Sequence, residues 1–476
     1  MGDIVIFYGH AASNWGDLAI NSGLLNLLEL AGRSGDEIRA VRLHPADRYD
    51  RLSRESLHRA HISDINAATG PQSALDDSLK LNGYLGAPDE FVRKYRLRSA
   101  DLIIVNSGEH IFESSTGENV RDLLWRILPL IAANRAATPA MVMPSTIGPF
   151  RTSLGDQIAN LIARLPTAFA YREVASRDLM ASTELANHPV FLDPGFFAHG
   201  LRIRENFPEI PRSVGLVFRL EDYGLRPGSK RSAFVQAKNR STDFQESQAY
   251  RAFARVAERH LTDGCSVRLI VQTQADRELT LALYEALKRG YPNQDVQLKD
   301  PETFQEYLDE LSDVDLLITS RFHAVILAEA QGVPAVGVYS ENHGHKMAGL
   351  FSLLGCPGAV VRLDDRNAQI VADDIDTAAK RSWNDRLDRL SRIQDLMART
   401  KNWFDEALTA QRQGPVDTSR TQIAALAELN RASVEWAQQN QLKNIQGSLT
   451  RIDKSLENLV GETDRFQIDN ECITND

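Results

Sequence analysis

Leu316-Leu317-Ile318-Thr319-Ser320-Arg321-Phe322-His323-Ala324-Val325-Ile326-Leu327-Ala328-Glu329-Ala330-Gln331-Gly332-Val333-Pro334-Ala335-Val336-Gly337-Val338 is the stretch from which the fold is read. Its first four residues form an apolar run of the kind that a parallel strand covered on both faces presents. Ala324–Gln331 reads as a helix, stopped by Gly332 and Pro334. A second apolar strand, Ala335–Val338, follows. Ser320, Arg321, Phe322 and His323 therefore fall on the turn at a strand's carboxyl end, where open α/β sheets bind ligands. A helix N-terminus there favours anions through its free N–H groups and its dipole. Arg321 can grip a carboxylate or phosphate with two parallel hydrogen bonds, and His323 can take up or release a proton near neutral pH. Each also has an ordinary structural use: Arg321 can pair with a nearby acid, and His323 can cap the helix.

Outward from this stretch the chain alternates strands and helices twice. In the first half, Asp3–Tyr8, Ile38–Leu43, Leu102–Val105, Ala140–Met143, Ala168–Tyr171 and Val190–Leu192 read as strands. Leu18–Ala31 and Val120–Asn134 read as helices, and Asp50–Leu81 as a polar, irregular excursion. In the second half, Ser213–Phe218, Val267–Gln272 and Val296–Leu298 precede the two strands already named, with helices near Phe244–Leu261, Asp276–Arg289 and Thr303–Leu311. Two such blocks imply two doubly wound α/β domains facing each other across a cleft. The expected division is residues 1–200, residues 201–375, a helical segment over 376–412 packing back on the core, and a helical tail over 413–476. The first boundary lies near the proline-bearing stretch Pro194–Pro211. In the tail, Leu442, Ile445, Leu449, Ile452, Leu456 and Leu459 alternate spacings of three and four, the seam of a coiled coil. So narrow a stripe needs a partner, most simply a second copy of the chain; packing on its own α/β domains is the alternative.

Composition narrows the function class. The chain has 476 residues, 43 % hydrophobic and 25 % charged, with a formal net charge of −10. That balance argues against nucleic acid as a partner, because phosphate backbones call for concentrated basic surface. No apolar stretch approaches the length of a membrane span, and the N-terminus enters a strand with no signal-peptide pattern. The three cysteines, Cys265, Cys356 and Cys472, are far apart and lack metal-ligand spacing. A cytoplasmic protein with reduced thiols is expected, with peripheral association at the inner face of a membrane compatible.

Several residues stand where strand ends should face the cleft. Asn14-Trp15-Gly16-Asp17 lies between the first strand and first helix; Gly16 permits close approach, and Asn14 or Asp17 can cap the helix. Glu109 sets a carboxylate beyond the strand Leu102–Val105, where a general base would stand; an exposed loop acid is the plainer reading. Arg172 and Glu173 can pair and fix a turn. Arg219 closes the first strand of the second block, on the same sheet edge as Ser320–His323. Glu221–Asp243 is a long polar loop at the mouth of that edge, and Tyr339–Lys346 reads as a loop whose His343-Gly344-His345 is a weak metal signal. No structural metal is expected.

Ser320-Arg321-Phe322-His323-Ala324, then Gly332-Val333-Pro334, then Tyr339 and Lys346 before a leucine-rich helix, resemble the polysaccharide pyruvyltransferases, and spaced motifs extend the resemblance over residues 3–365. It implies two Rossmann-like domains in the GT-B arrangement and transfer of a pyruvyl group from phosphoenolpyruvate to a sugar, usually as a ketal. On this likeness Asn14, Gly16 and Asp17 carry the family's Asn-x-Gly-Asp motif lining the cleft from the N-terminal side, with Arg172 on the acceptor side. Arg219 and Arg321, with Ser320 and Lys346, would hold the donor's carboxylate and phosphate. His323 would move the proton, and Glu109 and Asp17 are further candidates for base. Asn106-Ser107-Gly108-Glu109 departs from the family's glycine-rich turn. No cofactor is required beyond the donor, and a divalent ion assisting the phosphate needs no protein cage. The acceptor would be a sugar or lipid-linked oligosaccharide, and the coiled coil implies a homo-oligomer. Two rivals stand beside this reading. One is a glycosyltransferase of the same architecture using a nucleotide sugar, with Asp276 or Glu302 as conceivable ribose ligands. The other is a catalytically degenerate relative acting as a scaffold.

Overall fold

The structure, a computed structural model, describes residues 2–8, 14–43, 57–64, 71–106, 108–113, 120–150, 152–201, 204, 207–219, 245, 247–363, 366–410 and the single positions 435, 439 and 446. The first sheet contains β1 (Asp3–Tyr8), β2 (Glu37–Arg42), β3 (Ala60–Asp64), β4 (Leu102–Asn106), β5 (Glu109–Ile111), β6 (Ala140–Ile147) and β7 (Ala168–Tyr171). Its order is β3-β2-β1-β4-β6-β5, with β7 also on β6, and every pair is parallel. The second sheet contains β8 (Ser213–Val217), β9 (Ser266–Ile270), β10 (Val296–Lys299), β11 (Leu316–Thr319), β12 (Ala335–Tyr339) and β13 (Val360–Arg362). Its order is β10-β9-β8-β11-β12-β13, again all parallel. The apolar runs are explained by this: β1, β4, β6 and β11 are interior strands, and β4, β6 and β11 are buried along their whole length.

Both sheets reverse direction of growth in the middle, between β1 and β4 in the first and between β8 and β11 in the second. Such switch points open a crevice at the strands' carboxyl ends. Around them lie α1 (Trp15–Leu30), α2 (Pro71–Gly86), α3 (Pro88–Lys94), α4 (Val120–Ala136), α5 (Ser153–Arg164) and α6 (Val174–Leu179). The second sheet carries α7 (Gln248–Thr262), α8 (Arg277–Gly290), α9 (Phe304–Ser312), α10 (Phe322–Ala330) and α11 (Glu341–Leu353). Then come α12 (Ala368–Asn384) and α13 (Arg386–Thr409).

The two sheets are joined by shared core. Ile4 and Ile6 of β1, Leu24 and Leu27 of α1, Ile326 and Leu327 of α10 and Phe404 of α13 belong to one continuous apolar cluster. α10 is buried at all nine positions, as expected of a helix that is apolar all round. α13 then crosses from one sheet to the other. Arg389 near its start donates to the carbonyl and hydroxyl of Ser382, while Thr400 near its end accepts the N–H of Leu192 at 3.0 Å.

Four expectations are corrected. The polar excursion Asp50–Leu81 contains β3 and the start of α2. Val190–Leu192 is no strand but contributes one isolated bridge, Val190 to Tyr171. The C-terminal helices begin at Ala368, not residue 376. Tyr339–Lys346 is mostly helical, since α11 begins at Glu341. The coiled-coil stripe Leu442–Leu459 and the loop Glu221–Asp243 lie outside the described residues, as does Ser107. Among the described residues no helix is long and apolar enough to cross a membrane.

Candidate active site

At the second sheet's switch point β8 and β11 run side by side, with Val217 opposite Thr319. That register brings Arg219 and Ser320 together past the strand ends: the Arg219 N–H donates to the Ser320 hydroxyl at 2.9 Å, and the Ser320 N–H to the Val217 carbonyl at 3.0 Å. The Arg321 N–H donates to the Thr319 hydroxyl at 2.9 Å. Backbone bonds thus hold Arg219, Ser320 and Arg321 at the N-terminus of α10, as the strand-end argument requires.

The Arg321 side chain takes the ordinary use rather than an open one. Its Nε donates to Asp276 Oδ2 at 2.9 Å and its Nη2 to Asp276 Oδ1 at 2.5 Å, with Nη2 also 3.2 Å from the Thr273 hydroxyl. One edge of the guanidinium is therefore committed to a carboxylate that is 4 % exposed. Among the described residues Nη1 lies outside this clamp. Asp276, with both oxygens engaged and the Thr273 hydroxyl donating to Oδ2, is no open ribose ligand.

His323, in the first turn of α10, is buried. Its Nε2 lies 3.5 Å from Arg172 Nη1 and 3.8 Å from Asp193 Oδ2. Gly16 opens α1 against the same ring: a Cβ there would fall within 2.6 Å of the His323 Cβ. Only glycine admits that approach. Asn14 caps α1 by accepting the Gly16 N–H at 3.1 Å and also accepts from Gln272 Nε2 at 3.0 Å. Gln272 in turn accepts from the Tyr307 hydroxyl at 2.9 Å, and Trp15 stacks on Tyr307 with ring centres 6.2 Å apart. The Asn-x-Gly-Asp segment therefore meets the second domain directly. Asp17 sits in the first turn of α1, half-buried.

Arg172 is corrected twice. It is 1 % exposed and so does not line an open cleft. Nor does it pair with Glu173, which instead caps α6 by accepting the Ser176 N–H at 2.8 Å. Arg172 donates through Nη1 to Asp193 Oδ2 and through Nε to the Thr146 hydroxyl, both at 2.8 Å, and lies 4.4 Å over the Phe322 ring. Burial alone would raise the Asp193 carboxyl; His323 and Arg172 outweigh it and hold its pKa down to about 2.

Lys346, on α11, is half-buried, with Nζ 5.8 Å from the Phe322 ring centre. Glu109 belongs to β5, opposite Thr146 of β6; its side chain lies outside the described residues. Among the described residues no group of three His, Cys, Asp or Glu is placed to hold a metal ion.

Sequence reasoning brought Arg219, Ser320, Arg321 and His323 to one sheet end and missed the residues that hold them. Asp193 is the chief of these, and the Asp193-Pro194-Gly195 turn was the available signal. Thr146, Thr273, Gln272 and Tyr307 gave none.

The family model described as polysaccharide pyruvyl transferase matches residues 14–342. Similar solved structures include a glycosyltransferase from Rickettsia africae, 8 % identical over 86 % of this chain and 98 % of that one, at a TM-score of 0.49. Another is the Methanocaldococcus jannaschii UDP-GlcNAc 2-epimerase in complex with UDP-GlcNAc and UDP, 12 % identical over 84 % and 99 %, at 0.47. MurG of Acinetobacter baumannii is 10 % identical over 90 % and 100 %, at 0.42.

Proposed function

The chain belongs to the polysaccharide pyruvyl transferase family, a transferase of polysaccharide biosynthesis, and we propose that its donor is phosphoenolpyruvate, bound at the second sheet's switch point. The observation that carries this is the gathering of Arg219, Ser320 and Arg321 past adjacent strand ends at the N-terminus of α10. The donor brings a carboxylate and a phosphate, and burying either unpaired would be prohibitive. Because Asp276 already offsets much of the Arg321 charge, Arg219, Lys346 and the α10 N–H groups carry a larger share of the grip than Arg321 alone would suggest.

The reaction is addition to an enol ether. A general acid, His323, gives a proton to the donor's methylene carbon, which becomes a methyl group, and positive charge develops at the central carbon. A sugar hydroxyl adds there and gives its proton to a base, Glu109 or Asp17, forming a tetrahedral intermediate. The C–O bond to phosphate then breaks, a second sugar hydroxyl closes the ketal, and its proton leaves with inorganic phosphate. Positioning and charge stabilisation supply most of the acceleration. Asn14 and Gly16 stand on the acceptor side, and Arg172 acts through the groups it holds rather than by contact with substrate. The acceptor is a sugar or lipid-linked oligosaccharide, reached in the cytoplasm with no resident cofactor. The apolar stripe Leu442–Leu459, read from the sequence, supports self-association of the chain.

The test is incubation with phosphoenolpyruvate and a panel of sugar acceptors, following free phosphate and product mass. Acceptor-dependent phosphate release with a product heavier by one pyruvyl group is expected, and His323→Ala should reduce it by about a hundredfold or more. Turnover of a nucleotide sugar with no release from phosphoenolpyruvate would overturn the donor assignment. A near-normal rate in His323→Ala would remove His323 from the chemistry.

A further inference from the structure

We propose that Asp193 and Arg172, both from the first domain, are positioning residues for His323 of the second, holding its Nε2 in a seat that serves either protonation state. The inference deepens the functional reading above, because it rests on His323 as the proton-moving group.

Nε2 faces two groups of opposite kind at similar range: Arg172 Nη1, only a donor, at 3.5 Å, and Asp193 Oδ2, only an acceptor, at 3.8 Å. A ring with Nε2 bare finds the arginine N–H. A ring with Nε2 protonated finds the carboxylate. Neither contact is a tight hydrogen bond here, and catalytic contacts commonly tighten only when substrate is bound. The seat itself is rigid. Arg172 donates to Asp193 at 2.8 Å and to the Thr146 hydroxyl at 2.8 Å, and the Gly195 N–H donates to Asp193 Oδ1 at 2.7 Å. Gly108 leaves no slack behind the guanidinium, since a Cβ there would lie 2.6 Å from Nη1.

A buried ion pair adds little net stability over an apolar pair of the same shape. What this pair adds is one donor and one acceptor beside a single ring nitrogen. A group that must give and regain a proton in each turnover then never leaves a buried nitrogen without a partner. The imidazole comes from one domain and its seat from the other, so the proton-moving unit is complete only when the two sheets are docked.

The experiment compares wild type with Asp193→Asn and Arg172→Lys by thermal unfolding, turnover and ring-nitrogen NMR of 15N-histidine-labelled protein. The His323 signals are assigned among the 11 histidines by their loss in His323→Asn. A folded Asp193→Asn should lose roughly tenfold or more in kcat while KM for phosphoenolpyruvate stays within about threefold, and His323 should be the histidine whose ring resonances move. Wild-type kcat or unmoved His323 resonances in a folded Asp193→Asn overturn the proposal, and Arg172→Lys is read the same way. Should neither variant fold, the wild-type spectrum decides. A His323 Nε2 resonance displaced from that of a free imidazole at the same pH supports the seat, and free-imidazole shifts overturn it. The spectra need no substrate, so failure of the unmodified protein to consume phosphoenolpyruvate would sink the donor reading and leave this one tested on its own.

Discussion

At Asp193 burial and charge compete, and the outcome sets how the fold meets acid. Burial raises the carboxyl's pKa, while His323 and Arg172 bring it from 3.8 down to about 2. A carboxyl depressed in the folded state adds stability above its unfolded value, and loses it as pH falls through the folded one. The window is therefore between about pH 4 and about pH 2, and a depression of this size is worth about 2 kcal/mol. Urea midpoints should fall more steeply over that window in wild type than in Asp193→Asn, which has no carboxyl to protonate. Equal slopes would show that the buried carboxylate is not linked to folding. Arg321 marks where residue-level reading stops. A guanidinium at a strand end was legible from Leu316–His323 alone, but its carboxylate partner stands 45 residues away, in the turn after β9. Only the order β9-β8-β11 brings the two together, and no spacing along the chain encodes it. Arg172 repeats the lesson: the adjacent acid, Glu173, looked like its partner, yet the one it binds is Asp193, 21 residues on.

At the scale of elements, α1 is the piece that both domains press against, and two glycines set how closely. Gly16 faces His323; Gly23 faces the turn Pro194–Phe197, where an added Cβ would overlap the Pro194 carbonyl and lie 2.5 Å from its carbon. That obstacle is backbone and cannot rotate away. Gly23→Ala should therefore destabilise by about 2–3 kcal/mol through overpacking, against the modest gain alanine brings inside a helix. Because the displaced turn begins at Asp193, kcat should fall as well. Denaturant unfolding and turnover measured together would check this, and a stabilised, fully active variant would show that α1 can shift freely. Elements of this kind were legible where burial was complete. The runs Ile4–Tyr8 in β1, Leu102–Val105 in β4, Ala140–Met143 in β6 and Leu316–Ile318 in β11 are apolar and buried, and the amphipathic pattern of α1 places Leu24, Leu27 and Leu28 in the core. β3 and α2 were missed because the stretch that contains them is polar, and the alternation that marks the strand, Ala60 and Ile62 against His61 and Ser63, is only four residues long and half-buried at best. α11 was missed because Glu341-Asn342-His343-Gly344 opens the helix without a side-chain cap on Ser340, and its leucines, Leu350 and Leu353, come only about two turns later.

At the scale of the whole molecule, alternation of strands and helices was enough to announce two domains, but not what keeps them docked. That work falls largely to contacts with no local signature, and α13 is the longest of them. Near its start Arg389 lies 3.2 Å from Glu329 of α10, both buried. Near its end Trp403 stacks on Phe191 with ring centres 5.3 Å apart, and the Thr400 hydroxyl accepts the Leu192 N–H while donating to the Leu396 carbonyl. Leu192 immediately precedes Asp193, so the strap's far anchor is one residue from the seat of His323. Thr400→Val keeps the side chain's shape and removes the acceptor, leaving the buried Leu192 N–H without its partner at a cost of about 1–3 kcal/mol. If α13 merely covers the core, that loss should appear in global stability and nowhere else. If it fixes the first domain's side of the proton-moving unit, kcat should fall by more than the folded fraction does, and the Leu192 amide should exchange faster under native conditions. Hydrogen exchange at that amide, read beside turnover in a variant that melts as one transition, separates the two. Unchanged exchange with unchanged kcat would confine α13 to covering the core and leave the docking of the two sheets to the contacts of Asn14, Trp15 and Gly16.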